Sequence, residues 1–292
     1  MKIKSLFPVA ILFVVVFASC SKSDTNGGGG TPAPLPEKIT MNVAYGTDPM
    51  QKMDIYLPAN RTTTSTKVIV LIHGGGWTSG DKADFAVMID TLKKRLPDYA
   101  IFNINYRLAA WPANLFPTQE QDTKAAVEFI YSNRATYLVS DKFVMMGASA
   151  GGHLALLHAY KYATPVKVKA VVDFFGPTDM IDMYNNPGSF SPLLIAALLN
   201  NSTPTSNLTL YQQSSPIFFV SAQTPPTIII QGGIDPLVNA TSQSQALATK
   251  LSSFSVPNQY VLYPTGGHGD WDAATYTDAF NKIQVFLGVH AQ

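Results

Sequence analysis

The chain has 292 residues, 46% of them hydrophobic and 13% charged, with 20 Lys/Arg against 19 Asp/Glu and a formal net charge of +1. That balance excludes nucleic-acid binding by phosphate neutralisation, and the 11% aromatic content excludes a wholly disordered chain. A single cysteine excludes an internal disulfide framework and a Cys-rich zinc site.

Residues 1–19 read as an export signal. Lys2 and Lys4 precede an apolar run from Leu6 to Phe17 that is too short for a comfortable membrane span, and Ala18-Ser19 lead into Cys20. The order Phe17-Ala18-Ser19-Cys20 resembles a bacterial lipoprotein lipobox. That resemblance implies cleavage before Cys20, lipidation of its thiol and anchoring to the outer membrane. A plain secretory signal cut near Ala18 is the alternative. Residues 20–37, with four consecutive glycines and three prolines, have nothing to bury and are expected to form a tether. The folded domain is expected over 38–292.

Segments Ile39–Tyr45 and Met53–Leu57 suit an antiparallel start to a sheet. Then Val68–Ile72, Ala100–Ile104, Phe143–Met146, Ala170–Val172 and Thr227–Ile230 follow as short apolar runs typical of strands buried on both faces, and Gln259–Tyr263 reads as a further strand. Helix-like stretches Asp84–Leu96, Gln119–Asn133, Ser149–Lys161 and Thr241–Ser253 lie between them. This alternation predicts βαβ units, a parallel sheet and helices on both faces in one α/β domain. Residues 177–223, with five prolines and the apolar stretch Leu193–Leu199, break the pattern and predict a small helical insertion. His290 reads as part of a terminal tail.

Gly147-Ala148-Ser149-Ala150-Gly151 sits between a buried strand and a helix. A serine hydroxyl can stand clear of a sheet only on a tight strand-to-helix turn, which crowds its flanks and favours glycine there. His73-Gly74-Gly75-Gly76-Trp77 follows another strand end. With no Gly-Lys-Ser/Thr and no G-x-G-x-x-G, phosphate binding is disfavoured and an oxyanion-binding loop is the better reading. A nucleophilic serine needs a base. His73 belongs to the glycine loop and is read as bracing that turn, His153 and His158 lie on the helix after Ser149 and are read as packing or surface residues, and His290 lies in the tail. His268, among Gly266, Gly267 and Gly269, is left as the base. Asp235 follows a strand and stands between Ser149 and His268 in chain order; Asp173 and Asp179 are the rivals, while Asp270 and Asp272 are too near His268 to reach its ring.

Together, HGGGW at 73–77, GASAG at 147–151, GGIDPLV at 232–238 and GGHG at 266–269 resemble the α/β-hydrolase esterase/lipase superfamily. The likeness is to bacterial carboxylesterases of the dienelactone-hydrolase and feruloyl-esterase-like type, and it covers roughly residues 40–290. It implies an α/β-hydrolase fold with a mostly parallel eight-stranded sheet. It further implies Ser149 as nucleophile, His268 as general base, Asp235 as its orienting acid, and the N–H groups of Gly75, Gly76 and Ala150 as the oxyanion hole. No metal or cofactor is required. The expected reaction is hydrolysis of short-chain acyl esters, such as acetyl or feruloyl esters on polysaccharides, with Trp77, Trp111 and Trp271 as walls of the substrate pocket. An amide hydrolase on the same triad and a non-catalytic glycan-binding lipoprotein are the alternatives.

Overall fold

The computed structural model describes residues 34–292. The signal segment, Cys20 and most of the expected tether lie outside the described residues. The end of that tether is tied to the domain: Leu35 O accepts from Asn60 N–H at 2.8 Å and Pro36 O from the Arg61 guanidinium at 2.7 Å.

Eight strands form one sheet: β1 (Lys38–Ala44), β2 (Lys52–Leu57), β3 (Lys67–Ile72), β4 (Tyr99–Ile104), β5 (Phe143–Ala148), β6 (Ala170–Phe174), β7 (Thr227–Gly232) and β8 (Asn258–Tyr263). Their spatial order is β1-β2-β4-β3-β5-β6-β7-β8. β2 pairs antiparallel with β1 and with β4; every pairing from β4 to β8 is parallel. Period-two alternation sends β3 side chains to opposite faces, Val68, Val70 and Ile72 into one core and Ile69 and Leu71 into the other. Two buried faces explain the unbroken apolar text of that strand.

Helices cover both faces: α1 (Ala86–Arg95), α2 (Thr118–Ser132), α3 (Arg134–Tyr137), α4 (Ala150–Lys161), α5 (Met180–Asn185), α6 (Pro192–Leu198), α7 (Leu208–Gln213), α8 (Ala246–Ser253) and α9 (Ala273–His290). The insertion over 177–223 supplies α5, α6 and α7, so it is helical as expected. The expected helix from Thr241 begins instead as a π-helical turn over Ala240–Gln245. There the Gln243 side chain accepts from the Thr178 and Asp179 N–H groups, which fastens the insertion to the domain.

The expected tail is a helix. In α9, Ala279, Phe280, Ile283, Phe286 and Leu287 are buried at helical spacing. His290 is its last residue and packs on Phe286, ring centroids 4.5 Å apart.

His153 and His158, expected to be packing or surface residues, are both buried in α4. His153 Nδ1 accepts from the Trp77 indole N–H at 3.1 Å, and its Nε2 donates to Ser214 O at 2.7 Å. Burial pushes both imidazoles down to about 4 from the ordinary 6.5. A depressed base is neutral in the fold and takes up protons more readily once unfolded. Stability is therefore full above the unfolded value and is lost as pH falls from about 6.5 to about 4, by about 3 kcal/mol for each histidine. Among the described residues His158 Nδ1 has no hydrogen-bond partner, so His158→Leu is expected to remove its share of this loss. Urea unfolding at pH 7 and pH 4 measures it: the wild type should lose more stability than the variant by that amount.

Candidate active site

The chain leaves β3 toward β4 on one side and leaves β5 toward β6 on the other. This reversal opens a crevice at the carboxyl ends of β3 and β5. The glycine loop leaves β3 there, and Ser149 stands between β5 and α4.

Ser149 has φ 55° and ψ −123°, a strained conformation for a residue with a Cβ. The turn is as crowded as its glycines imply. A Cβ on Gly151 would lie 2.0 Å from the Ile72 carbonyl oxygen, and one on Gly147 would lie 2.3 Å from the Gly151 carbonyl oxygen. Both obstacles are backbone. They hold β3, β5 and the start of α4 in one close contact that only glycine permits.

Three side chains separated along the chain meet above the sheet. His268 Nε2 lies 2.8 Å from Ser149 Oγ, and His268 Nδ1 lies 2.7 Å from Asp235 Oδ2. Asp235 follows β7 and His268 follows β8, so both loops reach back across β6 toward Ser149. The Asp235 carboxylate is fully enclosed, while the His268 side chain is 15% exposed. Its Oδ1 accepts from the Leu237 and Val238 N–H groups at 2.8 and 2.9 Å, and its Oδ2 also accepts from Gln231 Nε2 at 3.0 Å. Burial pushes this carboxyl up, but the His268 hydrogen bond and charge, with the two backbone donors, outweigh it and hold it below the usual carboxylate range. An ionised carboxylate only accepts hydrogen bonds, so Nδ1 carries the imidazole proton. Nε2 is then the acceptor for the Ser149 hydroxyl.

The rival acids are engaged elsewhere. Asp173 is buried, its Oδ1 accepting from Gly176 N–H at 3.0 Å, and burial raises its carboxyl well above the ordinary value. Asp179 caps α5 by accepting from the Ile181 and Asp182 N–H groups. Asp272 caps α9. His73 braces the glycine loop as expected: its Nδ1 lies 2.7 Å from Gly74 O, and its ring stacks on Tyr106 at 4.4 Å.

Gly75 and Gly76 hold φ values of 102° and 57°, which turn the loop back beside Ser149. Among the described residues, the N–H groups of Gly75, Gly76 and Ala150 donate none of the loop or side-chain hydrogen bonds. The first N–H groups of a helix have no intrahelical acceptor, and Ala150 is the first residue of α4. Gly75 and Gly76 border a cavity of about 460 Å³ onto which Ser149 and His268 open.

The tryptophans do not behave alike. Trp77 borders the cavity, but its indole is 2% exposed and is spent on the hydrogen bond to His153. Trp111 does not line the cavity; it stands 59% exposed. Trp271 does not line it either, because its indole N–H donates to Gly267 O at 3.0 Å and its ring packs edge-on against Phe175. The walls are instead Phe190, Leu194 and Ile195 of the insertion with Leu237 of the Asp235 loop. Phe190, Leu194 and Ile195 all fall within the 177–223 insertion, the last two in its apolar stretch Leu193–Leu199. Gln231, behind Asp235, had no such mark in the sequence. Among the described residues, no group of three or more His, Cys, Asp and Glu side chains is close enough to hold a metal ion.

Comparison with known proteins agrees with this fold. The chain is 26% identical to esterase LipC of Mycobacterium tuberculosis, over 84% of this chain and 64% of LipC. It is 28% identical to dipeptidyl peptidase family member 6 of Caenorhabditis elegans, over 76% of this chain but 30% of that one. The chain thus spans less than two thirds of the length of these curated relatives. A truncated form of a carbohydrate esterase from gut microbiota superposes with a TM-score of 0.74 at 27% identity, covering 86% of this chain and 95% of that one. The BD-FAE family model matches residues 53–251, most of the α/β-hydrolase sheet together with Ser149 and Asp235, and the chain belongs to the BD-FAE family.

Proposed function

We propose that the protein is a serine carboxylesterase that hydrolyses short-chain acyl esters through an acyl-enzyme intermediate. The observation that carries this reading is the continuous hydrogen-bonded line from Ser149 Oγ through His268 to Asp235, opening on a cavity bordered by undonated N–H groups. His268 Nε2 takes the hydroxyl proton as Ser149 Oγ attacks the acyl carbonyl carbon. The resulting oxyanion is held by N–H groups of Gly75, Gly76 and Ala150, and each such donor contributes about 3 kcal/mol in the transition state. His268 then gives its proton to the departing alkoxide. Water repeats the sequence on the acyl-enzyme and releases the acid.

The side chains of Phe190, Leu194, Ile195 and Leu237 carry no charge, which suits a neutral acyl group. The likeness to a gut carbohydrate esterase supports an ester displayed on a polysaccharide, acetyl or feruloyl. Lipidation of Cys20 belongs to the same proposal: it holds the enzyme at the outer membrane, where exported polysaccharide-degrading chemistry meets its substrate. The likeness to a dipeptidyl peptidase family member supports a second reading, amide hydrolysis on the same three residues.

A fluorophosphonate probe and a substrate panel test these readings. Stoichiometric labelling at Ser149, with turnover of p-nitrophenyl acetate and release of acetate from acetylated xylan, is the expected result. Faster cleavage of a dipeptide anilide than of any ester would favour the amide reading. A folded protein that the probe fails to label would favour glycan binding without catalysis.

A further inference from the structure

Two hydrogen bonds at opposite nitrogens place the His268 imidazole in line with Ser149 and Asp235, but they leave it free to rock about the axis joining those nitrogens. Its backbone gives little help, since glycines flank it on both sides. A second ring, that of Phe175, packs against it.

Phe175 follows β6 with φ 43°, in the left-handed region that residues with a Cβ avoid. Its N–H donates to Ile230 O at 2.9 Å, so the strained residue is tied to β7. The ring is 6% exposed and lies 4.5 Å from the His268 ring, centroid to centroid, with the planes tilted by 54°. Trp271 meets Phe175 edge-on at 5.4 Å. Gly269 presses on the same ring: a Cβ there would lie 2.8 Å from Phe175 Cζ. Carbonyls on either side of His268 are also held, Gly267 O by the Trp271 indole N–H at 3.0 Å and Gly269 O by the Tyr276 hydroxyl at 2.6 Å.

We propose that Phe175 is a positioning residue whose ring, aimed by a left-handed backbone, sets the height and tilt of the His268 imidazole between Ser149 and Asp235. Trp271 and Tyr276 hold the loop against it. The inference rests on the serine-hydrolase reading above. Backbone strain at residue 175 then has a use: it directs a rigid aromatic face at a ring that its own chain leaves loose. Small displacements of reacting groups are costly, about 100-fold for ~1 Å.

A double-mutant cycle on the full chain tests this, with p-nitrophenyl acetate as substrate and competent sites counted by fluorophosphonate titration. Phe175→Leu withdraws the ring, and Gly269→Ala drives a methyl into it. Each is expected to lower kcat per titrated site by about 10- to 100-fold with KM changed less than about twofold. Gly269→Ala should cost much less in the Phe175→Leu background than in the wild type, because the ring it strikes is gone. Strain from alanine at φ 85° is common to both backgrounds and cancels. Phe175→Met, nearer in volume, replaces Phe175→Leu if that variant does not fold. Unchanged kcat per titrated site with only a lower Tm, or strictly additive effects, would overturn the proposal. A wild type that the probe does not label, with turnover that survives Ser149→Ala, would overturn the hydrolase reading instead.

Discussion

Ser149→Ala is expected to lower kcat on p-nitrophenyl acetate by on the order of 10⁶-fold, about 8 kcal/mol of transition-state stabilisation. The loss is large because the hydroxyl oxygen is the atom that forms the new bond. His268 can activate water poorly from its place, since the line from Nε2 ends where the alanine methyl begins. What survives is the contribution of binding and of the N–H groups at Gly75, Gly76 and Ala150. Fold stability should scarcely change, because among the described residues the one hydrogen bond of Oγ is to His268, and serine or alanine at 149 suffers the same φ of 55°. Ser149→Gly separates the two roles of this position. It should be equally inactive yet more stable than Ser149→Ala by about 1 kcal/mol, as the left-handed backbone is relieved. Thermal melts of the three proteins beside their kinetics check both statements. A Ser149→Ala protein retaining a tenth of wild-type turnover would end the proposed mechanism.

Much of this site was legible because its chemistry constrains the local chain. Gly147 and Gly151 announce the turn at Ser149, since each would drive a Cβ into backbone. The glycines around His268 mark a loop able to reach over the sheet. The buried strands were equally plain, because two covered faces demand continuous apolar text in β3 and β5. Other features depend on contacts between segments remote in sequence and left no local trace. Trp77, Trp111 and Trp271 look alike as residue types, yet Trp77 borders the cavity with its indole N–H spent on His153, while Trp111 stands in solvent and Trp271 is held by Gly267, both off the cavity. Gln231 backs Asp235 only because the chain curls after β7. The left-handed turn at Phe175 is opaque for the opposite reason: nothing in a phenylalanine signals a conformation normally left to glycine. Missing α9 has a different cause, as its pattern of Ala279, Phe280, Ile283, Phe286 and Leu287 was present but was read as a tail.

Asp235→Asn is expected to cost about 10⁴ in kcat while leaving KM nearly unchanged, and the reason is the direction of one proton. The Leu237 and Val238 N–H groups both point at Oδ1, so an asparagine at 235 must place its carbonyl oxygen there. Its NH₂ then faces His268 Nδ1, which becomes an acceptor and moves the imidazole proton to Nε2. An Nε2–H directed at Ser149 cannot take the hydroxyl proton. The same NH₂ also confronts Gln231 Nε2, a second donor, so the change destabilises the loop. The pH dependence has a definite sign. A carboxyl held below its unfolded value contributes stability above that value and loses it as pH falls through the lower, folded one. The wild type should therefore exceed Asp235→Asn in stability at pH 7, with the gap closing as the buffer is taken below the ordinary carboxylate range. The rival acids supply the controls. Burial already disfavours the charged form of Asp173, and Asn keeps the oxygen that accepts from Gly176. Asp179 caps α5, a duty asparagine performs about as well. Asp173→Asn and Asp179→Asn should each keep kcat within about threefold of wild type. If either of them, rather than Asp235→Asn, lost four orders of magnitude on the ester, the orienting acid would be that residue and the bond from His268 Nδ1 to Asp235 would have no part in turnover.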